Sequence, residues 1–519
     1  MEGRLELGTT PSGKKPALVI TGASGFLGRH LIAALRDRYE IFGIARRSQG
    51  AVGMPLHRNL TWYQVDIAER EPLAAVFRSL RQVPGPRVIV HLAAHYDFTG
   101  EKDPEYERTN VHGLRNVLDL SRSLTPELFV FPSSLAACAF PREGEALDEE
   151  SPADGDHHYA VSKRIGEEML REYAGDFRPV IVRLAAMFSD WCEYPPLYAF
   201  LGTWTSQGWN RRVLGGRGRS AIPYLHVRCA VNFFQRVLEM RSEIRPLEVL
   251  VASPDGCVSH QEAFEAATLA YYGHRVKPIF MPGLISRLGL VTMDLAGRLQ
   301  GNRPFERPWM GRYIDLRMNT DATRTRHRLA WEAMPRLDVI RRMPFLVENL
   351  KNDPIEWHRR NLAALKTVHL QPNLKLLYLF EAHERRILEA SVSQVLDPQG
   401  ESLYPTYRRL LGEDELRWAK RQLFLQLKNT IRTRDLSIFK AYCRHLAERR
   451  HRQGFSSEEV CRIIAGERDL CIRILRSDPG AADLAQAIHD HVTMTFLVGL
   501  DEIQDAFDVL GGRMLPLEV

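Results

Sequence analysis

Three side chains of types that can exchange protons or hydrogen bonds with a substrate oxygen occur in the first third of the sequence. Tyr159 and Lys163 are four residues apart, which places a phenol and an ammonium on one face of a helix. A neighbouring cation favours the phenolate, so we expect Lys163 to lower the pKa of Tyr159. The third is a serine of the pair Ser133-Ser134, which ends a predicted strand; its hydroxyl could donate a hydrogen bond to an oxygen on which charge develops. Together they predict proton donation to the alkoxide that hydride transfer leaves, although a tyrosine and lysine at this spacing are also typical of a solvated pair.

A glycine-rich segment, Thr21-Gly22-Ala-Ser-Gly25-Phe-Leu-Gly28, follows a short apolar strand and opens a helix. Glycines there allow a tight turn, close approach of the backbone to a pyrophosphate and close packing of helix on strand. The helix N-terminus then faces the anion. The segment therefore predicts dinucleotide binding, with a plain strand-to-helix turn as the alternative. The cofactor-binding residues predicted in it are Gly22, Ser24, Gly25, Phe26, Leu27 and Gly28.

The end of the second strand bears on the type of cofactor. An acid there would bind the ribose 2′-hydroxyl, whereas a cation would accommodate a 2′-phosphate. The sequence reads Ala45-Arg46-Arg47-Ser48, without an acid. We expect Arg46 to lie against the phosphate and the adenine, which favours NADP(H) and leaves NAD(H) possible; two solvated arginines are the alternative. Asp66, after the third strand, is a candidate acceptor for the adenine amino group.

Short apolar strands and longer helical patterns alternate from Ala17 to Leu184, which predicts a parallel sheet. The expected fold is α/β: a Rossmann-like, doubly wound parallel sheet with a small substrate lobe, followed by a separate all-α C-terminal domain. The nucleotide-binding core is expected at 16–184 and the substrate lobe mostly at 185–345, after a flexible tail at 1–15. Amphipathic helices alone fill 373–519, the predicted regulatory or oligomerisation domain.

Further motifs occur in a fixed order along the first two thirds of the sequence. They are Asp66-Ile67, His91-Leu-Ala-Ala94, Asn110-Val-His-Gly113, Glu149-Glu-Ser-Pro152, Arg183-Leu184, Tyr224-Leu-His-Val227 and Asp321-Ala-Thr-Arg324. With the glycine segment, Ser134, Tyr159 and Lys163, they resemble the extended short-chain dehydrogenase/reductases, the NAD-dependent epimerase/dehydratase group, over roughly 16–340 within a domain predicted at 16–365. The resemblance implies that Tyr159 is the acid/base, that Lys163 also contacts the nicotinamide ribose, and that Ser134 positions the substrate. It also implies cofactor contacts from Ile67, Leu92, Ala93, Ala94 and Asn110.

The sequence departs from that family where other activities would need particular residues. Leu135 and Ala136 replace the acids of the dehydratases, Ala186 replaces an asparagine of sugar-nucleotide enzymes, and Arg46 stands where tightly bound NAD usually meets an acid. These departures favour a reductase or dehydrogenase acting on a small, apolar substrate. A nucleotide-sugar epimerase and a non-catalytic NADP(H) redox sensor that signals through the helical domain are the alternatives.

Aromatic and apolar side chains from several segments are candidates for the pocket wall or, equally, for the core of the small lobe. Among them are Tyr96, Phe98, Phe188, Tyr194 and Tyr198. Within the C-terminal part, the stretch from Phe439 to Glu459 resembles the helical input domains of bacterial stress-response co-antagonists and sensor kinases. Through these helices the chain is expected to form a homodimer or bind a regulatory protein.

The composition bears on classes of function. The net charge is +6 over 519 residues, so we expect no nucleic-acid partner. Seven scattered cysteines without a CxxC pair indicate neither a zinc site nor a disulfide framework, and a metal role for the histidines of the C-terminal part is not favoured. The N-terminal residues lack a signal-peptide pattern, and no apolar stretch is typical of a membrane span. A cytoplasmic protein without a membrane partner is the expectation.

Overall fold

The computed structural model of the protein describes residues 15–85, 87–300, 303–361, 372–397, 404–482 and 484–512. All but the last residue of the tail predicted at 1–15 lies outside this range. The chain divides into two compact units. Unit 1 comprises 1–352 and 360–368, and unit 2 comprises 353–359 and 369–519.

Unit 1 is built on a seven-stranded parallel sheet. The strands are β1 (Ala17–Thr21), β2 (Glu40–Ala45), β3 (Leu60–Gln64), β4 (Arg87–His91), β5 (Leu128–Ser134), β6 (Pro179–Leu184) and β11 (Glu248–Ala252). Their order in the sheet is β11-β6-β5-β4-β1-β2-β3, so the first strand is interior and the chain winds outward from it to both edges. This confirms the predicted Rossmann-like α/β sheet.

Alternate residues of the strands point to opposite faces of the sheet, and both faces are covered by helices. Leu18 and Ile20 of β1 contribute to one hydrophobic core, whereas Ala17 and Val19 contribute to the other. The helices of this unit are α1 (Phe26–Leu35), α2 (Arg70–Leu80), α3 (Leu114–Ser121), α4 (His158–Met169), α5 (Pro195–Trp204), α6 (Val227–Glu239), α7 (His260–Tyr272), α8 (Gly283–Leu299), α9 (Thr323–Leu329) and α10 (Val339–Asn352). A π-helical segment, Tyr106–Gly113, leads into α3.

Three small two-stranded sheets occur in the part that follows β6. They pair β7 (Ala186–Phe188) with β10 (Tyr224–His226), β8 (Val213–Gly215) with β13 (Ile279–Met281), and β9 (Ala221–Ile222) with β12 (Val258–Ser259). The first two pairs are parallel and the third is antiparallel. The strand β11 also comes from this stretch, which the sequence pattern presented as irregular. It joins β6 at the edge of the main sheet.

Unit 2 is helical throughout the part that the structure describes, and it has its own hydrophobic core. The C-terminal region is therefore mostly helical, as predicted. Asp435 and Ser456 cap two of its helices by accepting hydrogen bonds from backbone N–H groups. The helices are α11 (Pro354–Arg360), α12 (Pro372–Leu396), α13 (Pro405–Leu410), α14 (Glu413–Thr433), α15 (Leu436–Arg452), α16 (Ser457–Arg476), α17 (Ala485–Ile488) and α18 (Met494–Leu510).

Candidate active site

The glycine-rich loop between β1 and α1 packs directly on the backbone that follows β4. Gly22 has a φ of +70°, and a Cβ there would lie 2.5 Å from the amide nitrogen of Ala93. At Gly28 a Cβ would lie 2.6 Å from the carbonyl oxygen of Gly22. Both positions therefore need glycine. In dinucleotide-binding folds, a helix N-terminus behind such a loop is where the anionic diphosphate binds.

Three arginines surround this loop. Arg47 donates from Nη2 to the carbonyl oxygen of Ser24 at 2.7 Å. Burial and repulsion from Arg29 and Arg46 lower the pKa of Arg47. Arg46, predicted to select the cofactor, is exposed and contacts Glu105 at 3.3 Å. The sequence analysis assigned no role to Arg29 or Arg47, although Arg47 adjoins Arg46 and could have been considered with it.

Asp66 and Ile67 follow β3, as predicted, but Asp66 is engaged with protein groups. One carboxylate oxygen accepts from the amide of Ala68 at 3.0 Å, and the other accepts from Arg108 at 3.0 Å. Ile67 is buried, and a Cβ on Gly113 would lie 2.7 Å from its Cδ1. A bound adenine would share Asp66 with Arg108.

Asn110 lies buried beneath the loop that follows β4. Its side-chain oxygen accepts from the amide of His95 at 2.6 Å, and its amide group donates to the carbonyl oxygen of His95 at 3.0 Å. It also donates to the hydroxyl of Ser162 at 2.9 Å. Asn110 thus ties the π-helical segment to the loop and to α4. Asn110 was predicted as a cofactor contact, and in the structure its side chain positions this loop. Of the other predicted cofactor contacts, Leu92 and Ala93 lie partly buried beside the glycine loop, and Ala94 is exposed.

Ser134, Tyr159 and Lys163 are brought together where β5 ends and α4 begins. Ser134 closes β5, accepts from the amide of Ala136 at 3.1 Å and is hydrogen-bonded to the phenol of Tyr159. Tyr159 is the second residue of α4. Lys163, one turn on, is buried and donates to the carbonyl oxygen of Pro132 at 2.7 Å. Tyr159 and Lys163 therefore lie one turn apart on a helix, as their four-residue spacing predicted, and Ser134 lies beside them.

The predicted lowering of the pKa of Tyr159 is wrong for this structure. Burial among surrounding side chains raises that pKa, and the hydrogen bond from Ser134 opposes the shift only partly. Burial also lowers the pKa of Lys163 to about 8, against the opposing charge of Glu167. The effect of burial prevails although the ammonium of Lys163, bonded to the carbonyl of Pro132, lies 5.8 Å from the centre of the Tyr159 ring. The site holds a protonated phenol above a lysine that titrates near neutral pH.

Aromatic rings crowd the phenol of Tyr159. The rings of Tyr96 and Tyr159 have centroids 4.3 Å apart, and Phe98 lies 4.4 Å from Tyr96. Phe98 in turn contacts Tyr194 at 6.1 Å and Phe305 at 5.6 Å. Of the candidates for the pocket wall, Tyr96 lies directly beside the phenol, and Phe98 and Tyr194 are connected to it through ring contacts.

Two other candidates for the wall, Phe188 and Tyr198, are buried and belong to the core of the small lobe. Conversely, the sequence analysis missed Phe305 and also Trp309, which donates to the carbonyl oxygen of Phe98 at 3.3 Å. Trp309 follows Phe98 by 211 residues, so no local pattern could have associated them.

His95, Asp97 and Asp103 form a further group near the site that the sequence analysis did not single out. Their ligand atoms all lie within 4.8 Å of one another. The Nε2 atom of His95 is 3.1 Å from Asp103 and 3.5 Å from Asp97, which is ion-pair distance. Pairing of the imidazole with these acids accounts for the arrangement, which holds the loop after β4 in place.

One segment of unit 1 matches the model of a known protein family. Residues 18–252 match the family model described as "NAD dependent epimerase/dehydratase family", which confirms the resemblance for this segment. A 3 beta-hydroxysteroid dehydrogenase type 7 of Rattus norvegicus is 27% identical over 178 residues, or 32% of this chain and 51% of the relative. A uronate dehydrogenase of Pseudomonas syringae pv. tomato is 26% identical over 194 residues, or 36% of this chain and 64% of the relative. The chain thus spans about half to under two thirds of these relatives.

A solved structure of a UDP-glucose 4-epimerase with UDP-glucose, from Thermotoga maritima, is similar in fold. It has a TM-score of 0.50 and 18% sequence identity. The match covers 67% of this chain and 99% of that chain. At this identity the similarity shows the fold of unit 1 and nothing finer.

Proposed function

We propose that the segment 18–252, which carries the match to the NAD dependent epimerase/dehydratase family, is the catalytic core of an NAD(P)-dependent oxidoreductase. Its substrate would be a hydroxyl or carbonyl group on a small, apolar molecule. The observation that carries the proposal is the junction of Ser134, Tyr159 and Lys163 at the carboxyl edge of the sheet, where doubly wound folds bind ligands.

Each of the three side chains has a distinct task in this proposal. The phenol of Tyr159 stays protonated because burial raises its pKa, so it can donate a proton to a substrate oxygen. The hydroxyl of Ser134 shares its hydrogen bond with that oxygen and orients it. The ammonium of Lys163, held by the carbonyl of Pro132, stabilises the negative charge left on Tyr159. When bound, the nicotinamide supplies or accepts the hydride.

The aromatic wall supports an apolar substrate. Tyr96 contacts the ring of Tyr159, and Phe98, Tyr194 and Phe305 extend from it as a connected group of rings; such a lining stabilises apolar ligands by burying their surface. The similarity to a 3 beta-hydroxysteroid dehydrogenase, whose name specifies an apolar alcohol, agrees with this inference. The similarity to a uronate dehydrogenase supports oxidation or reduction of a carbon–oxygen bond in general.

The arginine cluster supports a preference for NADP(H), with NAD(H) as the weaker ligand. Arg29, Arg46 and Arg47 repel one another around the loop, and a 2′-phosphate would relieve that repulsion. Calorimetric titration tests the preference. For Arg47→Gln we expect about tenfold weaker NADPH binding and little change for NADH, since a charged hydrogen bond is lost. Equal losses for both cofactors would contradict the assignment.

Replacement of Tyr159 by Phe tests the proposed reaction. The wild-type protein is screened for NADPH oxidation with apolar ketones and aldehydes, and for NADP⁺ reduction with the corresponding alcohols. Tyr159→Phe should reduce the rate by about a hundredfold or more, since proton transfer typically contributes that much, and leave NADPH affinity unchanged. Tyr63→Phe removes another phenolic hydroxyl, which contacts Ser79 at 3.2 Å, and serves as the matched control. Unchanged turnover in Tyr159→Phe, or interconversion of UDP-hexoses without net cofactor consumption, would overturn the proposal.

A further inference from the structure

Helix α8 is oriented with its polar side toward the protein and its apolar side toward solvent. Ser286 and Asp294 of this helix are buried. Ser286 donates to the carbonyl oxygen of Met281 at 2.9 Å, and Asp294 accepts from Arg298, Arg303 and Arg307. A surface helix of a globular protein normally shows the opposite orientation. The outward stripe is Leu284, Leu288, Val291, Leu295 and Leu299, with exposures of 75%, 68%, 52%, 59% and 83%.

The exposed apolar surface continues beyond the helix. Ile279 and Phe280 of β13, just before α8, are both exposed. β13 pairs with β8, and Trp209, four residues before β8, is 78% exposed. We call these side chains, with the outward stripe of α8, the α8 surface. A contiguous exposed apolar surface of this kind marks an interaction site, since water disfavours it.

Cations surround the α8 surface. Residues 209–219 contain four arginines and no acid, and residues 274–299 contain four cations against one acid, the buried Asp294. Arg212 and Lys277 meet where β8 and β13 begin, with a hydrogen bond of 2.9 Å from the arginine to the lysine carbonyl. Where the two strands end, Arg217 and Arg219 flank Gly218, whose Cβ would lie 2.7 Å from the ring of Phe280.

The acid nearest to these last two arginines is already in use. Asp315 accepts from the backbone amides of Arg217 and Arg219, at 2.8 and 3.2 Å, and so holds the loop that carries them. Both side chains remain exposed. The side chains of Arg217 and Arg219 are therefore available to an anionic partner.

We propose that the α8 surface docks on an anionic lipid bilayer. An apolar helix face bordered by arginine and lysine, with an exposed tryptophan nearby, has the chemistry that lies in the plane of a membrane interface. Among the residues that the structure describes, no helix is long and apolar enough to span a bilayer. The proposed contact is peripheral, with α8 lying in the plane of the interface. A second copy of the chain fits less well, because a twofold interface would bring the cationic borders together.

This proposal replaces the expectation, drawn from the sequence, that the protein has no membrane partner. It does not depend on the proposed oxidoreductase activity. It does connect to that activity, because the segment that follows α8 carries Phe305 and Trp309, which contact Phe98 beside the candidate active site. A peripheral enzyme with this geometry would meet apolar substrates at the membrane surface.

Sedimentation with lipid vesicles tests the docking surface. The full chain should bind vesicles that contain equal amounts of phosphatidylglycerol and phosphatidylcholine. The triple variant Leu284→Ser, Leu288→Ser, Leu295→Ser should bind about tenfold or more weakly, because it loses buried apolar area. Leu56→Ser, which removes a leucine that is 88% exposed elsewhere in unit 1, should bind like the wild type. Circular dichroism shows whether each variant is folded.

The charge requirement is tested separately. The wild type should bind pure phosphatidylcholine weakly, and Arg217→Gln or Arg219→Gln should each reduce binding to the anionic vesicles about fivefold. Binding by the wild type that is equally strong on both vesicle types, or absent on both, would overturn the proposal. A triple variant that changes a dimer into a monomer, without vesicle binding by the wild type, would assign the α8 surface to a second copy instead.

Discussion

Burial shifts the pKa values of Tyr159 and Lys163 in opposite directions. Burial disfavours the charged form of any group, so it raises the pKa of the phenol and lowers that of the ammonium to about 8. The phenol therefore remains a proton donor throughout the neutral range. The lysine, in contrast, loses its charge just above neutrality, and with it the stabilisation that it gives to a developing phenolate.

The pH dependence of catalysis should report this lysine. Lys163 is charged below pH 8 and neutral above, so kcat/KM for carbonyl reduction with NADPH should fall as the pH rises through about 8. The measurement is a pH profile of kcat/KM with protein folding followed by circular dichroism at each pH. In Lys163→Met the rate should be low and this limb absent. A decline at the same pH in Lys163→Met would show that another group causes it.

Side-chain spacing predicted that Tyr159 and Lys163 share a helix face, and they do. It could not predict where the ammonium points. The partner of Lys163 is the carbonyl of Pro132, 31 residues earlier in the chain, and that contact exists only after α4 has packed on β5. Likewise, the roles of Asn110 and Arg47 depend on hydrogen bonds to residues that are distant in sequence.

At the scale of elements, predicted strands agree with the structure where a strand is a short apolar run between turn residues. β1 at 17–21 and β4 at 87–91 are such runs, and both lie within the segment for which alternating strands and helices were predicted. β11 was not predicted, although it completes the sheet edge beside β6. Its pairing joins Val180 to Glu248, and a contact between residues so far apart leaves no periodic pattern in the sequence.

The junction of β1 and α1 should be intolerant of a side chain. Gly22→Ala would place a Cβ 2.5 Å from the backbone nitrogen of Ala93, at a φ of +70°. We expect a loss of about 1–3 kcal/mol in the free energy of unfolding, because the strained backbone or the strand β4 must shift. NADPH binding should weaken as well, since the loop moves. Denaturant unfolding and calorimetric titration measure the two effects.

Gly50→Ala is the control for this substitution. Gly50 has open space where a Cβ would lie, and it is not among the glycines with positive φ. It should retain wild-type stability and NADPH affinity. Wild-type stability in Gly22→Ala would show that the loop does not pack on the segment after β4 as the structure describes.

At the scale of the whole molecule, the sequence predicted a change from alternating strands and helices to helices alone near residue 373. The structure agrees on the type of each part. It also assigns 353–359 to unit 2, before the chain returns to unit 1 at residue 360. The amino-acid pattern indicates a change of fold class along the chain. It does not indicate that the short segment 353–359 belongs to unit 2.

Unit 2 contains a buried ion pair, both partners of which belong to unit 2. Lys420 and Glu467 are both nearly inaccessible and are paired, and Ser391 donates to the same carboxylate at 2.9 Å. Removing one partner of a buried pair leaves an uncompensated charge and typically costs about 3–5 kcal/mol. Lys420→Met is therefore a selective perturbation of unit 2.

Separate cores, with the proposed cofactor-binding residues all taken from unit 1, lead to a prediction for thermal unfolding. Calorimetry should resolve two transitions. NADPH at about a hundred times its dissociation constant should stabilise the transition of unit 1 by about 2.7 kcal/mol and leave the other in place. Lys420→Met should lower the transition that NADPH does not move. If both transitions shift together in either experiment, the two units unfold as one cooperative body, and the helical unit then contributes to the stability of the cofactor site.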